Sequence, residues 1–256
     1  MDESIDKIKL LGIDISNVSM SETIFYIDKM IASGTFSYIV TPNVDHLMKL
    51  QSDSDFRKIY EGANLAVPDG VPLLWGSRIL GTPLKERVNG TDLFVKICEN
   101  AAERGYSIFL LGGNPDTAEK AGTILAEKYP GLRVAGYFCP EFGFDADFVE
   151  CRRIQKLIAA SKADILFVGL GAPKQERWIA EFGPGCGVKV AIGIGVSFSL
   201  VSGNIKRAPI WMQKRGLEWF WRLMAEPRRL SKRYLVDDLP FFWLVAKYWL
   251  KQKHIL

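Results

Sequence analysis

Phe36-Ser37-Tyr38-Ile39-Val40 runs directly into Thr41-Pro42-Asn43 and then Val44-Asp45-His46-Leu47. The first five residues form an apolar, largely β-branched and aromatic run, which predicts a buried strand. Pro42 disfavours helical geometry at Thr41, so the strand ends there, and Asn43 is placed to cap a helix that begins at Val44. A second short run, Leu65-Ala66-Val67-Pro68, ends in Asp69-Gly70 and is followed by a helix-like stretch from Val71 to Leu80. Lys85-Glu86-Arg87-Val88-Asn89-Gly90-Thr91-Asp92 closes the segment. Two strand ends therefore present polar groups beyond the carboxyl ends of parallel strands, where α/β sheets hold their ligands. Asp69 lies between them as a candidate general base, with a plain helix N-cap as its competing role.

Outward from this segment the periodicity keeps alternating. Strand-like runs fall near Ile8 to Leu11, Ser107 to Leu111, Arg133 to Tyr137, Ile165 to Gly169 and Val188 to Ile192. Helix-like segments run from Ser21 to Ile31, Asp53 to Glu61, Thr91 to Arg104, Pro115 to Tyr129, Asp145 to Ser161 and Pro173 to Glu181. Repeated β-then-α with short connections predicts an α/β fold with a Rossmann-like, mostly parallel sheet flanked by helices. Three further strand-to-helix junctions are rich in glycine and could bring backbone N–H groups to a phosphate or a nucleotide ribose. Leu111-Gly112-Gly113-Asn114 is the first, with a simple tight turn as the alternative. Gly169-Leu170-Gly171-Ala172-Pro173-Lys174-Gln175 is the second; Lys174 and Gln175 supply donors, and Lys174 stands where a dinucleotide fingerprint needs its third glycine. The third is Gly193-Ile194-Gly195-Val196-Ser197-Phe198-Ser199. Three such turns in one sheet point to a nucleotide-sized ligand.

Composition narrows the class. The 256 residues are 48% hydrophobic and 24% charged, the balance of a folded protein. The four cysteines, Cys98, Cys139, Cys151 and Cys186, form no CxxC pair, which favours a reducing compartment over a disulfide or zinc framework. The start, Met1 to Lys7, shows no leader pattern, and no apolar run approaches the roughly 20 residues of a spanning helix. With only His46 and His254, a histidine metal site or a catalytic triad is not expected. Asp53-Ser54-Asp55 and Asp145-Ala146-Asp147 have DxD spacing, but both open amphipathic helices, where acidic residues suit the helix dipole. No resident metal or cofactor is therefore expected.

The net charge of +4 conceals an asymmetry. Residues 204–256 hold 12 Lys/Arg against 4 Asp/Glu, and five of the seven tryptophans. Charge and aromatic content change at Ser202-Gly203-Asn204, which divides the chain into an α/β body, 1–203, and a helical, basic-aromatic appendage, 204–256. Within the appendage, Trp211 to Arg229 reads as helix broken near Pro227, and Phe241 to Leu250 as an aromatic run among lysines.

The motifs together resemble the WecG/TagA/CpsF family of glycosyltransferases. The match runs through Thr41 to Leu47, Pro68-Asp69-Gly70, Arg87 to Asp92, Leu110 to Gly113 and Val168 to Glu176. It continues through Ser202-Gly203, Lys206 to Pro209, Gly216-Leu217-Glu218-Trp219, Arg222-Leu223 and Glu226 to Arg229. The resemblance implies an inverting, metal-independent transfer of N-acetylmannosamine or a related sugar from a UDP-sugar. The implied acceptor is a polyprenyl-diphosphate-linked sugar such as GlcNAc at the cytoplasmic face of a bacterial membrane. The products of such enzymes feed teichoic-acid linkage units, capsules and exopolysaccharides. By the same matching Asp69 is the catalytic base with Thr41 and Asn43 beside it, Gln175 contacts the donor, and Arg87 lies near the acceptor's phosphates. Where the family has Phe-Asp in the third glycine turn this chain has Phe198-Ser199, so Ser199 marks a change at the donor subsite.

Inverting transfer needs a base for the acceptor hydroxyl and, without a metal, cations for the departing diphosphate. Arg222 and Arg229 of the appendage are the leading candidates, because arginine grips phosphate in two-pronged fashion. Basic residues interleaved with tryptophan suit an anionic membrane surface, with packing on the body or on a second copy of the chain as the alternative. Nucleic-acid binding, or nucleotide binding without chemistry, are the rival functions; no RNA-binding motif accompanies the basic tail, so no nucleic-acid partner is expected.

Overall fold

The computed structural model describes residues 5–254, so the first four residues of the stretch in which no leader was expected lie outside it. Two strands, β1 (Lys7–Leu10) and β2 (Ile13–Ser16), pair antiparallel as a hairpin of their own. Helix α1 (Met20–Ser33) follows, then β3 (Ser37–Val40), α2 (Val44–Ser52), α3 (Ser54–Glu61) and β4 (Leu65–Ala66). Next come α4 (Val71–Ile79), α5 (Gly90–Arg104), β5 (Ser107–Gly112), α6 (Thr117–Lys128) and β6 (Arg133–Phe138). The body ends with α7 (Phe148–Ser161), β7 (Ile165–Gly169), α8 (Lys174–Phe182), β8 (Val190–Gly193) and α9 (Ser197–Val201). The appendage holds α10 (Ile210–Lys214), α11 (Glu218–Ala225), α12 (Pro227–Lys232), a π-helical turn Arg233–Asp237 and α13 (Pro240–His254).

Strands β3 to β8 form one six-stranded, all-parallel sheet in the order β4-β3-β8-β7-β5-β6. Strand β5, between β7 and the edge strand β6, is buried along its whole length, as a parallel strand covered on both faces must be. Alternate residues serve opposite faces. Ile39, Ile108, Leu110, Phe167 and Ile192 join α1, α5, α6 and α9 in one core, while Phe109, Leu111, Leu166 and Ala191 join α7 and α8 in another. A third core lies under the hairpin, α2, α3 and α4.

The predicted strand Ile8–Leu11 therefore exists but is not part of the main sheet. Leu11 and Gly12 take left-handed conformations, φ 51° and 82°, as the two-residue turn of a hairpin. The appendage helix predicted from Trp211 to Arg229 is three short helices: Gly216, at φ 72°, separates α10 from α11, and Glu226 with Pro227 separates α11 from α12. Helix α13 returns to the body. Phe241 and Val245 are buried in the third core, and a Cβ on Gly76 of α4 would lie 3.1 Å from the Phe241 ring. Gly76 is the opening that lets α13 approach, and burying that phenyl group contributes about 1.5–3 kcal/mol. The change of charge at Ser202-Gly203-Asn204 is thus not a change of core. Among the described residues no helix is long and apolar enough to cross a membrane.

Candidate active site

The chain leaves β3 towards α2 on one face of the sheet and leaves the neighbouring β8 towards α9 on the other, which opens a crevice at their carboxyl ends. Thr41 spans it: its buried hydroxyl donates to the Gly193 carbonyl at 3.1 Å. Asn43 caps α2, its Oδ1 accepting the His46 N–H at 3.1 Å. Asp69 is drawn to the same place by its own backbone N–H, which donates to the Pro42 carbonyl at 2.8 Å. Val88 N–H donates to the Pro68 carbonyl at 2.9 Å and brings Arg87, Asn89 and Gly90 alongside. The motifs at residues 41–47, 68–70 and 87–92 thus form one constellation.

Asp69 does not cap a helix. The N-cap of α4 is Gly70, at φ 120°, a conformation side chains rarely adopt, and it makes no side-chain cap bond. The Asp69 carboxylate instead accepts from Asn89 Nδ2 at 3.3 Å, beside the Gly90 N–H. Burial pushes its pKa up to about 6, against the opposing pull of Arg87, the Gly90 N–H and Arg222; Glu218 adds to the rise. A carboxylate so placed is largely ionised at neutral pH yet basic enough to take a proton from an attacking hydroxyl.

Gly112 and Gly113 lie at φ 102° and 83°, and a Cβ on Gly112 would stand 2.7 Å from the Gly169 carbonyl oxygen. The β5 and β7 turns touch there, with Gly113 N–H donating to that carbonyl at 2.9 Å. Gln175 braces the next pair of turns. Its Oε1 accepts from the N–H groups of Gly171 (3.2 Å) and Gly195 (3.0 Å), while its amide donates to Glu176 Oε1 at 2.8 Å. Glu176 is wholly buried, its pKa raised to about 7 by that burial, and its second oxygen has no partner among the described residues. Ser199 is buried in α9. Lys174 points to the far edge of the sheet, pairing with Asp145 at 2.7 Å beside the Phe142 and Phe144 rings. His46 is a packing residue: burial lowers its pKa to about 3 and its Nδ1 meets the Tyr60 hydroxyl at 2.6 Å.

The appendage reaches the constellation through α11 and the π-helical turn. Arg222 stands close enough to Asp69 for its charge to lower that pKa, and its Nε is buried without a partner among the described residues. Arg229 lies on α12, more exposed, bonded to Glu226 at 2.6 Å. Arg87 does not stand free: its guanidinium pairs with Glu218 of α11 at 2.7 Å. Glu218 also meets Arg207 at 3.3 Å, and Arg207 forks onto Asp92 at 2.6 and 2.8 Å. Arg233 donates to Asn43 Oδ1 at 3.3 Å and lies 3.7 Å from Asp45. Asp92, Arg207, Glu218, Arg233 and Glu176 were not among the residues expected at the site. All but Arg233 fall inside recognised motifs, but the bonds Arg87–Glu218 and Arg207–Asp92 join residues more than a hundred positions apart, beyond the reach of any spacing rule.

The pattern of the Glycosyl transferase WecG/TagA/CpsF family matches residues 8–255. The N-acetylglucosaminyldiphosphoundecaprenol N-acetyl-β-D-mannosaminyltransferase of Bacillus subtilis (strain 168) is 33% identical over 208 residues, 81% of this chain and 77% of that protein. The protein of the same name from Staphylococcus aureus (strain MRSA252) is 28% identical over 244 residues, covering 94% and 92%. The chain belongs to the WecG/TagA/CpsF family, and it is a glycosyltransferase.

Proposed function

We propose that this enzyme transfers N-acetylmannosamine, or a hexose close to it, from a UDP-sugar to GlcNAc on a polyprenyl diphosphate, with inversion and without a divalent metal. The relatives' names supply the transferred sugar and the acceptor. The observation that carries the chemistry is Asp69, a partly buried carboxylate with a raised pKa at the mouth of the β3–β8 crevice, beside two arginines. In the reaction the acceptor hydroxyl oxygen attacks the anomeric carbon, forming the new glycosidic bond as the bond to the UDP β-phosphate oxygen breaks. The hydroxyl proton passes to Asp69, and the electron pair departs on the diphosphate. Arg222, whose buried Nε has no partner among the described residues and whose guanidinium lies 3.9 Å from Glu226, is the cation of this arm that acts on Asp69 and would serve that leaving group, with Arg229 as a second. The glycine turns at Gly112-Gly113 and Gly171 leave the backbone bare of side chains where the nucleotide approaches, although the N–H groups of Gly113 and Gly171 are themselves bonded to the Gly169 carbonyl and to Gln175 Oε1. Ser199, where the family carries aspartate, leaves the donor subsite one charge less negative.

The same arm gives the enzyme its place of work, the inner face of the cell membrane. Trp219, Phe220, Met224, Leu235, Trp243 and Leu250 are exposed on the appendage among Arg228, Arg229 and Lys247. Apolar rings with a basic fringe suit an anionic interface, where the lipid-linked acceptor resides. The test is release of UDP from a panel of UDP-sugars in EDTA, with and without a lipid-diphosphate-GlcNAc analogue. Acceptor-dependent release from UDP-N-acetylmannosamine is expected; release that requires an added divalent ion, or none from any UDP-sugar, contradicts the reading.

A further inference from the structure

Arg87 is one cation between two carboxylates. Its charge lowers the pKa of Asp69, yet its ion pair, at 2.7 Å, is with Glu218, and both side chains of that pair are only 18% exposed. Glu218 is the first residue of α11, so the carboxylate that holds Arg87 is delivered by the appendage and not by the sheet. Its other oxygen meets Arg207, which is anchored in turn by the two-pronged bond to Asp92 at the start of α5. The charged and polar groups facing Asp69 are therefore Arg87, Asn89 and the Gly90 N–H from the loop entering α5, and Glu218 and Arg222 from α11. Arg87 and Arg207 face Glu218.

Without the Glu218 charge the 2.7 Å pair that holds the Arg87 guanidinium is lost, and Asp69, which already feels that cation, is the carboxylate left to take it up. An Arg–Asp pair favours the ionised carboxylate and weakens it as a base. We propose that Glu218 is a positioning residue for the transfer, whose carboxylate holds Arg87 away from Asp69 and so keeps the base free while α11 is seated. The inference rests on Asp69 being the base. It gives the appendage a second duty beyond supplying cations, because seating α11 brings Arg222 to the site and sets how Arg87 is shared.

The experiment is kcat/KM against pH, from pH 5 to 9, for the full chain and for Glu218→Gln and Arg207→Gln. Glu218→Gln keeps the shape and removes the charge; its acid limb is expected to move down by about half a pH unit or more, with a lower plateau rate from the weaker base. Arg207→Gln takes the competing cation from Glu218 and is expected to move the limb up. Because the two shifts have opposite signs, the second variant still decides the matter if the first fails to fold. A limb that stays in place in every variant that folds, with the rate lowered equally at all pH values, means Glu218 only seats the helix and overturns the inference alone. A wild-type profile with no acid limb overturns the reading of Asp69 as the base, and the inference with it.

Discussion

At the scale of residues, the site turns on a carboxyl group held against its preference. Asp69 has a folded pKa near 6, above its ordinary value of 3.8. The folded state therefore binds its proton more tightly than the unfolded chain, and this group's contribution to stability falls as pH rises between those two values. Asp69→Asn removes the charge while keeping an acceptor for Asn89. At pH 7 it is expected to stabilise the fold by roughly 1 kcal/mol after allowance for partial solvent exposure, about 2–4 °C in Tm for a chain of this size. A thermal melt at pH 7 checks this, and a variant less stable than the parent would contradict it. Asp69 was legible in the sequence because Pro-Asp-Gly ends a strand. What the sequence left open was its state: helix cap or buried base. Gly70 at φ 120° takes the cap position itself, which removes the first of these readings.

At the scale of elements, the sheet was legible because parallel strands covered on both faces are largely apolar; Ile165 to Gly169 and Ser107 to Leu111 declare themselves, while the edge strand β6 is partly exposed along its length. The hairpin did not. Its turn is Leu11-Gly12, and a leucine at positive φ is not a residue that signals such a turn, so the strand read as continuing to Leu11 and its partner Ile13–Ser16 went unseen. The glycine turns were visible as glycines, but which of them touch was not. Gly112 makes their closest approach to backbone, with the Gly169 carbonyl oxygen 2.7 Å from where a Cβ would stand, on top of a φ of 102°. Gly112→Ala should cost about 1–3 kcal/mol and pry the β5 and β7 turns apart. A denaturant melt together with UDP binding checks both consequences. An alanine variant as stable as the parent, with unchanged nucleotide affinity, would show that the turn is not fixed by that contact.

At the scale of the whole molecule, the appendage is neither a free arm nor a separate unit. Its last helix shares a core with α4 and the hairpin through Phe241 and Val245, while α11 brings Glu218 and Arg222 to Arg87 and Asp69 of the body. Net charge made the appendage visible in the sequence. Its seating was not, because that depends on Gly76 lacking a side chain and on ion pairs between residues 87 and 218. Trp243, exposed with the Lys247 ammonium 5.0 Å from its ring, lies on the side of α13 that faces away from the core. Vesicles with anionic lipid should bind the full chain and neutral vesicles should bind it weakly, with the difference falling as salt rises. Trp243→Ser should weaken binding to the anionic vesicles without lowering Tm; equal binding to both lipids would contradict a docking surface. The central claim is that Asp69 does the chemistry at a nucleotide-sugar site. The most direct measurement is donor binding by calorimetry beside acceptor-dependent transfer, in the parent and in Asp69→Asn. The account predicts donor affinity within a few-fold of the parent and transfer lower by about 10²–10⁴-fold. Transfer at the parental rate with the asparagine in place would contradict it.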